Sequence, residues 1–150
     1  MVQAFVINCL DYCNALCYSI TDELTRCLQS AQNAADRLVA GTRRCDHISP
    51  VLRQLHWLPV RQRVVFKIVT LVHRSLSGNA PSYLAGRRVR QLRSADNRTL
   101  VVSRTRSSFE DRTFAVAGPQ VWNSLPPNIR LCGLSYGQFR RLLETFLFGP

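Results

Sequence analysis

Between Pro59 and Gly78 the apolar residues Val64, Val65, Ile68, Val69, Leu71, Val72 and Leu76 recur every three or four positions. That period belongs to an α-helix with one buried face, whereas a half-buried strand would alternate at every second residue. The pattern recurs along the chain. Val2, Phe5, Val6, Cys9, Leu10, Tyr12, Cys13, Leu16, Cys17 and Ile20 share one helical face. Thr21 is an N-cap candidate ahead of Asp22 and Glu23, whose charges suit a helix N-terminus. The helix that follows has the stripe Leu24, Cys27, Leu28, Ala31, Ala34, Ala35, Leu38 and Val39 and ends at Gly41. These two amphipathic segments predict an antiparallel helical hairpin.

Ser49-Pro50 predicts the cap and first position of a short helix through Leu55 to Trp57, and Pro59 opens the next. Pro81-Ser82-Tyr83-Leu84 predicts one more helical turn. From Arg87 to Arg112 the periodicity fails, and only Leu100-Val101-Val102 suggests a short strand. After Gly118-Pro119 comes a compact aromatic-apolar knot, Val121 to Pro127. Ser135 caps a last helix with Phe139, Leu142, Leu143, Phe146 and Leu147 on its apolar side. The expectation is a mainly α fold: a helical hairpin and further amphipathic helices, with a small irregular or β insert. At 150 residues it reads as a single module, helical over 1–78, arginine-rich over 79–112, and closed by a Trp/Pro knot and helix over 113–150.

With 46% hydrophobic residues the chain is no disordered basic tail, yet its formal net charge is +11. Lys67 is the only lysine among 20 basic residues. Arginine's planar fork suits phosphates and base edges, so nucleic acid is the first candidate partner and an anionic membrane the second. An incidental basic surface is the plain alternative. No stretch approaches the roughly 18 to 20 apolar residues of a membrane span, and the apolar opening lacks a basic n-region. The expected setting is the nucleus or cytoplasm, with the six cysteines reduced.

Cys9, Cys13 and Cys17 line one helical face. Small buried hydrophobes are the expected reading, with a thiol or metal site as the alternative. Cys45-Asp46-His47 has no matching second pair of ligands, and His56 and His73 stand alone. No Gly-rich phosphate loop, nucleophile elbow or His-Glu-x-x-His is present. No catalytic residue, metal or cofactor is therefore assigned, and the chain is not expected to be an enzyme on its own.

Charge is concentrated in the middle. Residues 1–40 carry two arginines against four acids, residues 41–80 seven basic groups against one acid, and residues 81–112 eight against three. On the helix after Pro59, Arg63, Lys67 and Arg74 fall within about 40° of one another, along roughly 16 Å of axis. They form a candidate phosphate-contacting ridge, or else a solvated face. Arg87, Arg88, Arg90, Arg93, Arg98, Arg104 and Arg106 make a denser cluster of the kind that orders on RNA. Trp57 and Trp122 are core anchors first and base-stacking platforms second.

Six ordered blocks carry a family likeness: LDYCN (10–14), LQSAQNAADRLVAGTRRCDHISPVLRQLHWLPVRQRVVFKI (28–68), APSYL (80–84), VVSRTR (101–106), WNSLP (122–126) and FRRLL (139–143). Together they resemble the C-terminal end of the polyprotein of LINE-type, non-LTR retrotransposons, just after the reverse transcriptase domain. The resemblance implies thumb-like helices beside an RNA-directed DNA polymerase, with element RNA or a template–primer duplex as partner. The family's catalytic pair of aspartates lies upstream and has no counterpart here, so no catalytic residue carries over. Some relatives end in a zinc knuckle, whose spacing is missing here. Cys9, Cys17, Cys45 and Ser103 depart from the family's pattern, and Met1 reads as an internal start. The alternatives are a structural module that packs on a missing polymerase palm, and a non-functional truncated relic.

Overall fold

The computed structural model describes residues 8–78, 99–131 and 133–149. Among these the chain is mainly helical and holds no strand. Its helices are α1 (Asp22–Ala40), α2 (Ile48–Gln54), α3 (Val60–Leu76), α4 (Ser108–Asp111), α5 (Phe114–Asn123) and α6 (Tyr136–Phe148). Short 3-10 turns lie at Asn14–Cys17 and Pro127–Ile129. The chain divides into two compact units, Met1–Val64 and Val65–Pro150, with the division inside α3.

In the first unit the expected continuous helix over Val2–Ile20 is not formed where it is described. Residues 8–11 are helical, but Cys13 and Ser19 take left-handed φ values of 52° and 58°, with the 3-10 turn between them. An L-residue in that region cannot continue a right-handed helix. Asn14, buried at 5% exposure, donates through Nδ2 to Asp11 Oδ1 at 3.4 Å. Such local side-chain bonding competes with the helical backbone. The hairpin's first arm is thereby replaced by a bent segment.

Helix α1 keeps its expected bounds, with Gly41 at φ 65° closing it, but is turned the other way. Leu24, Cys27, Ala31, Ala34 and Leu38 are exposed, while Gln32 and Asp36 are wholly buried. Backbone satisfaction explains the inversion. Gln32 Nε2 donates to the Leu58 carbonyl at 3.0 Å. The Val60 N–H, one of the donors left over at the start of α3, reaches Gln29 Oε1 at 2.8 Å. These polar side chains tie α1 to the turn before α3, where leucines would leave buried backbone groups unpaired.

Helix α2 packs on α1 and begins at Ile48, two residues before the expected start. Pro50 still lies in the first turn, where its missing N–H costs no bond. Its end is a Schellman motif without glycine: His56 has φ 54°, its N–H bonds the Arg53 carbonyl, and the Trp57 N–H bonds the Leu52 carbonyl at 2.8 Å. Leu52 and Trp57 are both buried.

The core of the second unit gathers Ile68, Val69, Val72, Val116, Val121, Trp122, Leu125, Ile129, Phe139 and Leu143. Ser135 caps α6 as expected, its Oγ accepting from the Gln138 N–H while Gln138 Oε1 accepts from the Ser135 N–H. Gly118-Pro119 does not break the chain; both lie buried inside α5. Proline conflicts with the Cβ of the residue before it, and Gly118 has none, so the helix runs on at the loss of one backbone bond. Nor does Leu100-Val101-Val102 form a strand. Leu100 makes only an isolated bridge, and the Asn123 amide clasps it as well, accepting from the Leu100 N–H and donating to the Leu100 carbonyl, both at 2.9 Å.

Candidate nucleic-acid interface

Of the three cations placed on the ridge of α3, Arg63 is turned inward. It is 9% exposed and donates through Nη1 to Asp11 Oδ1 at 3.0 Å. Asp36, at 0% exposure, faces the same guanidinium and that of Arg37. Neither Asp36 carboxylate oxygen has a hydrogen-bond partner. Burial pushes the carboxyl up from 3.8 to about 6, against the downward pull of Arg63 and then Arg37. Arg63 thus answers acids of its own fold and presents no fork to a phosphate. Asp36, on the polar side of its helix, is buried at 0% exposure.

Lys67 and Arg74, in the second unit, are exposed. Arg74 borders an open hollow of about 760 Å³ with His73, Ser77, Leu134 and Tyr136. The hollow has a rigid side. His73 stacks on Phe139 with ring centroids 4.0 Å apart, and the Tyr136 ring lies 6.1 Å from His73. Phe139 is fully buried, and its ring is tilted 30° against that of Trp122 with centroids 6.1 Å apart. Tyr136 itself is 45% exposed, so an aromatic face and a guanidinium meet at one accessible concavity. Nothing in the sequence pairs Arg74 with Tyr136, which stands at the first position of α6, far along the chain.

Arg104 and Arg106 are exposed in the irregular stretch before α4. That stretch is pinned by the Arg106 N–H to Glu110 at 2.9 Å and by a short hydrogen bond from Thr105 to Asp111. Arg87, Arg88, Arg90, Arg93 and Arg98 lie outside the described residues, as does the turn expected at Pro81–Leu84. Trp57 and Trp122 are buried at 4% and 1%, which makes them core anchors and removes both as stacking platforms.

In the first unit a second hollow, of about 550 Å³, is bordered by Arg26, Asn33, Ser49 and Arg61. Arg61 is ion-paired to Asp22 on the same rim, so this hollow is electrically mixed. The cysteines correct another expectation. Cys9, Cys13, Cys27 and Cys45 are exposed and Cys17 half-buried; the bend at Cys13–Ser19 removes the single helical face that Cys9, Cys13 and Cys17 were to share. No group of three His, Cys, Asp or Glu side chains that could hold a metal exists among the described residues. No helix among them is long and apolar enough to cross a membrane. No family model, curated protein or solved structure matches the chain.

Proposed function

We propose that this chain is a non-catalytic C-terminal fragment of a non-LTR retrotransposon reverse transcriptase that binds RNA or DNA through arginines. The observation that carries the reading is the hollow where exposed Arg74 and exposed Tyr136 meet. A guanidinium reaches a phosphate and an aromatic ring offers a stacking face, the two contacts that single-stranded nucleic acid asks for. The described part of the second unit carries eight basic residues against three acids, which raises the local concentration of a polyanion. Lys67, Arg104 and Arg106 extend the contact, and element RNA or a template–primer is the natural ligand in the nucleus or cytoplasm. The ordered sequence blocks support the family, and the lack of a catalytic aspartate pair supports a binding role. A second reading, a module docking on a polymerase palm, draws on the exposed Leu24 and Leu38 of α1.

The test is filter binding of the whole chain to structured RNA, single-stranded DNA and duplex at two salt concentrations. Affinity is expected to fall with salt, and Arg74→Ala to reduce the log–log slope by about 1. Tyr136→Ala is expected to weaken single-strand binding by about 1–3 kcal/mol, with the salt slope kept. Binding that ignores salt, or that neither substitution alters, refutes the reading.

A further inference from the structure

The exposed face of α1 has a finer order than a general apolar stripe. Leu24, Cys27, Ala31, Ala34 and Leu38 are spaced three, four, three and four residues apart, the repeat of a coiled-coil seam. All five are exposed, Leu24 at 57% and Leu38 at 71%. The opposite face of the same helix is committed inward through Gln29, Gln32 and Asp36. A seam with this period fits another helix, and the flanking charges say which.

One flank of the seam is Glu23, Ser30 and Arg37. If a second α1 runs antiparallel, Leu24 meets Ala34 of the other copy and Cys27 meets Ala31, while Leu38 lies opposite position 20, before the other α1 begins. In the same register Glu23 faces Arg37, Arg37 faces Glu23, and Ser30 faces Ser30 on the two-fold axis. The flank is therefore self-complementary in charge under the symmetry of a dimer. Residues 1–40 carry two arginines against four acids, so this is also the part of a basic chain where two copies repel least. The Arg37 guanidinium lies beside Asp36 with its Nε buried, and its Nη2 makes a long hydrogen bond of 3.4 Å to the Asp46 carbonyl, so the contact calls for its terminal nitrogens to turn outward.

We infer that the α1 seam is a homodimer interface, closed by an antiparallel copy of the same helix and set in register by two Glu23–Arg37 pairs. The mutually facing seam, Leu24 to Ala34, is about 15 Å long at 1.5 Å per residue, and belongs at the small end of specific interfaces. The dimer therefore forms in roughly the micromolar to 100 µM range.

Sedimentation equilibrium of the whole chain across that range tests it, beside site-resolved alkylation of the cysteines. A monomer–dimer equilibrium is expected, with Cys27 labelling slowed as concentration rises and Cys45 labelling unchanged. Leu24→Glu is expected to abolish the dimer while far-UV circular dichroism keeps its helical signal. Glu23→Arg and Arg37→Glu are each expected to weaken it about tenfold, and the double variant to restore it to within about threefold of the parent. A chain that stays monomeric throughout overturns the inference, including the case in which the seam serves a polymerase palm. So does a dimer indifferent to Leu24→Glu, or a double variant as weak as the singles.

Discussion

Asp36→Asn is expected to stabilise the protein at neutral pH, although it deletes a charge beside two arginines. Asp36 is fully enclosed, its oxygens lack hydrogen-bond partners, and its carboxyl sits at about 6 against an ordinary 3.8. Desolvation outweighs Arg63 and Arg37 together, and the balance is a cost to the folded state. Below about pH 4 the group is neutral in both folded and unfolded chains and the cost vanishes. Between about pH 4 and 6 the folded state holds a proton that the unfolded state releases, so stability falls as pH rises; above about 6 the loss is complete. A shift of about two units at 1.36 kcal/mol each gives up to about 3 kcal/mol. Asparagine has nearly the same shape and no charge, and Arg63 keeps its bond to Asp11. Urea unfolding followed by circular dichroism, from about pH 4 to 7.5, measures the difference. The variant should match the parent near pH 4 and exceed it by about 1–3 kcal/mol at pH 7.5. A variant no more stable than the parent at pH 7.5, or a difference that ignores pH, would show that the carboxylate is solvated or paired and refute the reasoning.

Gln32→Ala removes the amide that donates to the buried Leu58 carbonyl and is expected to cost about 1–3 kcal/mol in the same unfolding experiment. Arg63→Ala and Lys67→Ala should separate, the first lowering stability with the salt slope of RNA binding intact, the second lowering the slope by about 1 with stability intact. Equal effects of the two on binding would return Arg63 to the interface. Ser135→Ala undoes the capping box of α6 and is expected to cost about 1 kcal/mol, read as a lower thermal midpoint.

Much of the helix layout is legible because its signals are local. Pro59 and Gly78 bracket α3, Gly41 ends α1, and Ser135 with Gln138 starts α6, each by chemistry confined to a few neighbouring residues. The end of α2 lacks such a mark, since His56 takes a role usually given to glycine. What the pattern misassigns is direction. The apolar stripe of α1 reads as a core face, yet the polar face is inward, because Gln29 and Gln32 satisfy backbone groups about thirty residues away. Non-local pairing of that kind leaves no period in the sequence. Arg63 fails as a site residue for the same reason, its partner Asp11 lying 52 residues earlier. The Arg74–Tyr136 hollow was half legible: the arginine stood out by charge, whereas the tyrosine is brought there only by the packing of α6.

The two bonds between Asn123 and Leu100 amount to a single rung of a ladder, built from a side chain. They close a loop of about 23 residues, so the clasp opposes a chain entropy that a real strand would share among many rungs. The peptide that leads into Arg104 and Arg106 is thus clasped near its start by a side-chain amide, as it is pinned at its far end by Asp111 and Glu110. Asn123→Asp keeps the acceptor and loses the donor, setting a carboxylate against the Leu100 carbonyl. In that variant the Leu100 amide should exchange with deuterated water far faster than its neighbours in α5. The presentation of those arginines would then change although neither had been touched.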